Sequence, residues 1–254
     1  MFRFRADAFR LALCLLVLLA ALPAGARTLL IGATVDPPLK WPEAGTARGI
    51  DVEILSAILP EIGVTDWEFR FYDSGQRLQE EGRTGKVDML ASFSRNPERE
   101  AYLAYPTESH ISLSWRFMVR AEDAGRIRYD SYDDLKGLAV GATRGVSYTD
   151  AFWKAGLDLR VITTEEPHLP MLLAGRIDVV PMVDLKARYL AKQAGVTERI
   201  ALLPKALRTA DYFHVWSRAS TYPDRDRLLR DFDQALQRMK ADGRLKAIIE
   251  RYAP

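Results

Sequence analysis

One short pattern occurs twice in the chain, and this repetition constrains the fold more than any other feature of the sequence. The segment Gly85–Asp88 reads Gly-Lys-Val-Asp, and the segment Gly175–Asp178 reads Gly-Arg-Ile-Asp. In each segment the glycine is suited to ending a helix and the aspartate to starting a strand. The similarity is too local for a repeat array, so the sequence predicts two lobes of like construction.

Short apolar runs alternate with amphipathic stretches over the rest of the chain. This alternation is typical of an α/β fold with largely parallel sheets. Strands are predicted at 29–33, 67–72, 87–91, 115–120, 159–162 and 211–216, and helices at 49–59, 78–81, 145–153 and 228–239.

The N-terminus has the composition of an export signal. Three arginines at positions 3, 5 and 10 precede an apolar run at 11–22, and small residues follow at 24–26. We predict a secretory signal peptide that is cleaved after Ala26, and therefore a periplasmic protein. The run is shorter than the roughly 20 apolar residues of a transmembrane helix, which makes an uncleaved membrane anchor the alternative.

Charge and cysteine content exclude several functions. The only cysteine, Cys14, lies inside the apolar run, so no disulfide or thiolate is expected after cleavage. Three arginines and one aspartate give the signal a charge of +2, which equals the net charge of the whole chain, so the exported part is near neutral. We expect neither a nucleic-acid partner nor a cofactor. His110, His168 and His214 are widely spread, so no metal site is predicted.

A compact set of hydrogen-bond donors follows the first of the two repeated segments. Ser92 and Ser94 end an apolar run, and Arg99 stands after a turn at Pro97. Two hydroxyls and a guanidinium within eight residues are suited to binding a carboxylate. No nucleophile with an adjacent base is found, so the pattern indicates capture of a molecule and not its conversion.

Five segments of the chain, in order, resemble the family 3 periplasmic solute-binding proteins, the amino-acid-type receptors that feed ABC transporters. These segments are 51–54, 85–99, 134–137 with Gly145 beyond it, 173–178 and 242–252. The resemblance implies a periplasmic-binding-protein-like α/β fold, with two lobes joined by a two-strand hinge and a ligand cleft between them. It implies a first lobe at 27–118 and 210–254 and a second lobe at 119–209.

The resemblance also implies roles for individual residues. Arg99 corresponds to the arginine that clamps the ligand's carboxylate, and Ser92 and Ser94 to donors beside it. Ser147, after Gly145 at a predicted helix start, would add a hydroxyl and a backbone N–H. Alternatively, Ser147 is an ordinary N-cap, and the two serines of the strand satisfy backbone groups.

The chain departs from the family where the ligand's ammonium group is bound. Val183 stands where the family has an aspartate, and Asp184 follows one position later. A slip of one residue on a strand turns the side chain to the opposite face, so Asp184 reaches the cleft only if Pro181 introduces a bulge. Val146 replaces a common threonine.

Two further candidates lie after the first strand. The family's aromatic residue is replaced by Leu39, and Trp41 is close enough to substitute for it. Asp36 could bind a cationic or hydroxyl group of the ligand; otherwise it is a turn residue before proline.

The sequence thus predicts a monomeric periplasmic receptor that captures a small carboxylate-bearing ligand, a polar amino acid first, for the membrane permease of an ABC transporter. Two alternatives stay open. One is a cyclohexadienyl-type dehydratase on the same fold, which needs a general acid in the cleft. The other is a soluble sensing partner of a membrane receptor.

Overall fold

The structure is a computed structural model that describes residues 27–144, 146 and 148–253. The predicted signal peptide and Ser147 therefore lie outside the described residues. Within the described ranges, no helix combines the length and the apolar character needed to cross a membrane.

The described chain alternates strands and helices, as the sequence predicts. The strands are β1 (Leu29–Thr34), β2 (Trp41–Glu43), β3 (Thr46–Arg48), β4 (Trp67–Tyr72), β5 (Met89–Ser94), β6 (Leu103–Ala104), β7 (Ile111–Arg120), β8 (Ala139–Thr143), β9 (Asp158–Ile162), β10 (Val179–Val183) and β11 (Ile200–Ser217). The α-helices are α1 (Ile50–Glu61), α2 (Gly75–Arg83), α3 (Pro97–Glu100), α4 (Asp150–Lys154), α5 (His168–Leu173), α6 (Asp184–Gln193), α7 (Arg225–Ala241) and α8 (Arg244–Tyr252).

Two long antiparallel strands, β7 and β11, connect the two lobes. In the first lobe β4, β1 and β5 are parallel, and the C-terminal part of β11 pairs with β5. In the second lobe β9, β8 and β10 are parallel, and β10 pairs with β7. This arrangement confirms the predicted fold class. The predicted lobe boundaries, after residues 118 and 209, fall within these two strands and stay a prediction.

The two repeated segments perform the same structural task in the two lobes. Oδ2 of Asp88 accepts the N–H of Leu30 in β1 at 2.9 Å. Oδ2 of Asp178 accepts the N–H of Ala139 in β8 at 2.9 Å. Each aspartate directly precedes one parallel strand, β5 or β10, and binds the start of the neighbouring parallel strand, β1 or β8. The preceding glycines, at positions 85 and 175, have φ values of 74° and 68°, which glycine adopts without strain.

The structure corrects two of the predicted elements. The helix expected at 145–153 begins only at Asp150, because Thr149 is its N-cap and accepts the N–H of Phe152 at 3.1 Å. The return strand expected at 211–216 is 18 residues long. Pro204 lies within it and cannot donate to the ladder, and the pairing shifts register between Leu202 and Ala206.

We predict that Asp88→Ala lowers the free energy of unfolding by about 3 kcal/mol. The change leaves the N–H of Leu30 without its acceptor and removes the counter-ion of Arg27, whose Nη2 lies 2.6 Å from Oδ1 of Asp88. Urea unfolding measures the effect. Glu122→Ala, at a side chain that is 81% exposed, is the control and should change stability by less than about 0.5 kcal/mol. Equal losses in both variants would contradict the prediction.

Candidate functional site

A buried carboxylate, that of Asp51, lies beneath the ends of the first-lobe strands. Nζ of Lys40 lies 3.3 Å from its Oδ2, and the hydroxyl of Ser92 donates to the same oxygen at 2.6 Å. Burial alone would raise the pKa of Asp51, but the charge of Lys40 and the hydrogen bond from His110 hold this pKa far below its usual range. Asp51 is therefore a charged structural anchor.

Ser92 belongs to this buried network. Its φ of 60° lies in the left-handed region, which is uncommon for a residue other than glycine. Its hydroxyl is donated to Asp51, and Nε2 of His110 lies 3.1 Å from the same oxygen. In this geometry the Ser92 hydroxyl donates its proton to a buried carboxylate, and its role as a ligand donor stays a prediction.

His110 and His214 are stacked beside Asp51, with ring centroids 3.8 Å apart. Nε2 of His110 lies 3.0 Å from Oδ1 of Asp51, whereas neither ring nitrogen of His214 has a partner among the described residues. Burial and the neighbouring His110 lower the pKa of His214 well below its usual value. These side chains are of types that bind metal ions, but the ammonium of Lys40 already balances the carboxylate and would repel an added cation.

Arg99, in α3, reaches back to Ser94 at the end of β5. Nη1 of Arg99 donates to the carbonyl oxygen of Ser94 at 3.0 Å and to its hydroxyl oxygen at 2.9 Å. Nε donates to Gln79 at 3.3 Å, and the guanidinium lies over the ring of Phe93. Among the described residues, Nη2 of Arg99 has no hydrogen-bond partner. This nitrogen of the guanidinium is therefore available to an acceptor.

Tyr212, on β11, pairs with Ser94, the residue that Arg99 contacts. Burial is the largest cause that raises the pKa of Tyr212, and the charges of Arg208, Asp36 and Arg99 also act on its phenol group. Its ring centroid is 6.5 Å from that of Trp115 on β7. The rings of Trp115 and Tyr212, one from each hinge strand, therefore lie side by side and form the floor of the cleft.

A cavity of about 120 Å³ lies between the two lobes beside this floor. It is smaller than the roughly 300–1,000 Å³ of typical ligand pockets, so it fits a compact group. Most of its wall is apolar, and its charged residues come from both lobes. The lining residues are Asp36, Pro37, Pro38, Leu39, Leu113, Trp115, Val146, Glu165, Val183, Leu185 and Lys186.

The ammonium group of Lys186 lies between two carboxylates of the cavity, those of Glu165 and Asp36. Its Nζ lies 2.6 Å from Oε2 of Glu165 and 3.8 Å from Oδ1 of Asp36, which belongs to the other lobe. Burial alone would lower the pKa of Lys186, but the two carboxylates raise it above its ordinary value. The ammonium is therefore a firmly charged bridge across the cleft.

Asp184 lies outside this cavity. The pairing of β10 with β7 is continuous from Val179 to Val183, so no bulge forms at Pro181. Val183 lines the cavity, and Asp184 starts α6 with Oδ2 3.7 Å from Nε of Arg116. The apolar side chain thus occupies the position at which the family has its aspartate.

Trp41 also lies away from the cavity, at a contact between the lobes. Its ring centroid is 6.2 Å from that of Tyr189 in α6 and 6.1 Å from that of Tyr252 in α8. Lys192, one helical turn beyond Tyr189, donates to the backbone oxygen of Arg251 at 2.5 Å. Helix α6 therefore contacts the first lobe along one face.

Comparison with known proteins identifies the family. The family model of the bacterial extracellular solute-binding proteins, family 3, matches residues 29–254. The chain belongs to this family, which confirms the resemblance seen in the sequence. The family's extracellular location agrees with the predicted export.

Individual relatives agree with this membership. The probable amino-acid-binding protein YxeM of Bacillus subtilis (strain 168) is 25% identical over 231 residues, which cover 87% of this chain and 82% of that protein. The second substrate-binding domain of Lactococcus lactis GlnP has a TM-score of 0.71 and 20% identity, covering 91% of this chain and 97% of that one. The GluR0 ligand-binding core, solved with L-glutamate, has a TM-score of 0.71 and 17% identity, covering 91% of this chain and 100% of that one. At these identities the two structures show the fold alone.

Sequence reasoning missed several residues of the cleft. Glu165 is not among the residues predicted from the sequence, yet its side chain is only 16% exposed and is paired with Lys186. Tyr212 and Trp115 were expected only as strand residues. No sequence feature marked Trp115 as a cleft residue. It lies opposite Val183 in the pairing of β10 with β7, and this pairing is visible only in the folded chain.

We predict that stability falls as the pH drops below about 6.5, the ordinary pKa of histidine. The pKa of His214 is lower in the folded protein, so below this pH the unfolded chain binds a proton that the folded chain does not. Urea unfolding between about pH 7.5 and about pH 5 measures the slope, and His214→Leu should make it shallower. The residual slope comes from His168, whose pKa burial also lowers. An unchanged slope in the variant would contradict the prediction.

Proposed function

We propose that the protein is a monomeric periplasmic receptor that closes its two lobes around a small carboxylate-bearing molecule, a polar amino acid first, and presents it to the permease of an ABC transporter. The observation that carries the proposal is the guanidinium of Arg99. It is fixed by Ser94 and Gln79 through Nη1 and Nε, while Nη2 has no partner among the described residues. A guanidinium held in this way is preorganised for a carboxylate.

The arrangement of the lobes supports capture by closure. The cavity is lined by residues of both lobes, and the lobes are joined by two strands that can act as a hinge. The name of YxeM, a probable amino-acid-binding protein, and the L-glutamate complex of the GluR0 core support an amino-acid ligand. A further structural relative, the second substrate-binding domain of a putative amino acid ABC transporter from Streptococcus pneumoniae, supports a transporter partner.

We expect one amino acid to raise the unfolding temperature of the denatured and refolded protein when a panel of amino acids and organic acids is screened. A ligand at about a hundredfold excess over its dissociation constant adds about 2.7 kcal/mol. For a chain of this length the shift is roughly 5–10 °C. The same panel includes prephenate and arogenate, whose conversion to an aromatic product would instead favour the dehydratase.

Arg99→Ala should weaken binding of the stabilising acid by roughly 3–5 kcal/mol, which is more than a hundredfold, because it strands the ligand's carboxylate in the closed cleft. Calorimetric titration measures the affinity. Arg95→Ala is the matched control, since Arg95 donates to the backbone oxygen of Pro106 and lies over the rings of Tyr105 and Phe213. An unchanged affinity in Arg99→Ala would remove the central assignment.

A further inference from the structure

The position that should supply a charge for the ligand's ammonium group is apolar. Val183 lines the cavity from the end of β10, and Val146 lines it nearby. Asp184 lies outside the cavity beside Arg116. If the ligand is an amino acid, its ammonium group must therefore find a different partner, because burying an unpaired ammonium is costly.

Two carboxylates in the same cavity can supply that partner. Asp36 comes from the loop after β1 in the first lobe, and Glu165 comes from the segment before α5 in the second. Lys186 bridges them, at 3.8 Å and 2.6 Å respectively. The side chains of Lys186 and Glu165 are 14% and 16% exposed, so solvent screens this pair only partly, and the side chain of Asp36, at 44% exposure, stays accessible from the cleft.

The ion triad carries a net charge of −1, since two carboxylates surround one ammonium. Lys186 engages Oε2 of Glu165 and Oδ1 of Asp36. Among the described residues, Oε1 of Glu165 and Oδ2 of Asp36 have no hydrogen-bond partner. The triad therefore retains both the charge and the acceptors to bind a second cation.

The geometry also suits the two ends of an amino acid. Tyr212 pairs with Ser94, the serine that holds Arg99, and its ring centroid lies 6.5 Å from that of Trp115, which lines the cavity together with Asp36. A molecule lying over Tyr212 would place a carboxylate at the open Nη2 of Arg99 and a cation at Asp36. Lobe closure would then bring Glu165 to the same cation.

We propose that Asp36 and Glu165 bind the ligand's ammonium group in place of the acid missing at Val183, and that Lys186 is the positioning residue that holds these two carboxylates together across the cleft. The inference rests on the proposed function and names its specificity. The receptor selects α-amino acids over the 2-hydroxy acids that share their carbon skeletons.

The test compares matched pairs of compounds by calorimetric titration: L-alanine with L-lactate, L-glutamate with L-2-hydroxyglutarate, and L-phenylalanine with L-phenyllactate. In at least one pair the amino acid should bind at least about tenfold more tightly than the hydroxy acid. Asp36→Asn and Glu165→Gln should each weaken binding of that amino acid roughly 10- to 100-fold, with little effect on the hydroxy acid. Glu166→Gln, an exposed neighbour, is the control and should preserve the preference.

Lys186 is tested through the same preference. Lys186→Met should reduce the ratio of the two affinities, because the carboxylates separate without their bridge, and Lys186→Arg should retain it. A raised ratio in Lys186→Met would overturn the positioning role. A loss of folding stability alone would not change this ratio.

The outcomes separate this inference from the proposed function. If both members of a pair bind equally and Arg99→Ala abolishes both, the carboxylate receptor stands and the ammonium site is overturned. If Asp36→Asn and Glu165→Gln leave the preference unchanged, the ammonium site is likewise overturned. If a different amino acid stabilises the protein in the thermal screen, that amino acid and its 2-hydroxy analogue form the deciding pair. If neither the screen nor any pair shows binding, both the inference and an amino-acid ligand are overturned.

Discussion

The candidate site depends on one buried charge, the carboxylate of Asp51. A carboxylate in the interior costs several kcal/mol unless cations and donors surround it. Its partners are Lys40, Ser92 and His110, which come from three different segments of the chain. The segment of Lys40 also carries Asp36. The segment of Ser92 continues to Ser94, which holds the guanidinium of Arg99, and the segment of His110 leads into the hinge strand β7. One anion therefore fixes the relative positions of the segments that form the floor of the cleft.

The parts of this structure that could be predicted from the sequence are those with local causes. The strand-starting aspartates Asp88 and Asp178 follow glycines that end a helical or turn segment, so the two-lobe construction was readable from two short segments. Arg99 and Ser94 are five residues apart, and a turn at Pro97 suffices to bring them together. Their contact needs no knowledge of the rest of the fold.

The parts that could not be predicted depend on distant contacts. The Ser92 hydroxyl is directed by Asp51, which is 41 residues away. The carboxylate of Glu165 is paired with the ammonium group of Lys186, which is 21 residues further along the chain. The sequence spacing of His110 and His214 does not show that they stack. They meet because His110 directly precedes β7, and β7 pairs with β11, which carries His214.

Helix α6 carries both Lys186, which belongs to the proposed ammonium site, and contacts between the two lobes. Lys186, Tyr189 and Lys192 are spaced three residues apart, so they lie on one face of the helix. All three contact the first lobe: the lysines reach Asp36 and the backbone of Arg251, and the tyrosine packs against a tryptophan ring. These contacts exist only when the lobes are close together. A ligand group bound beside Lys186, as proposed, would therefore stabilise the closed form selectively, and a difference in affinity between the open and closed forms is what allows a ligand to shift their populations.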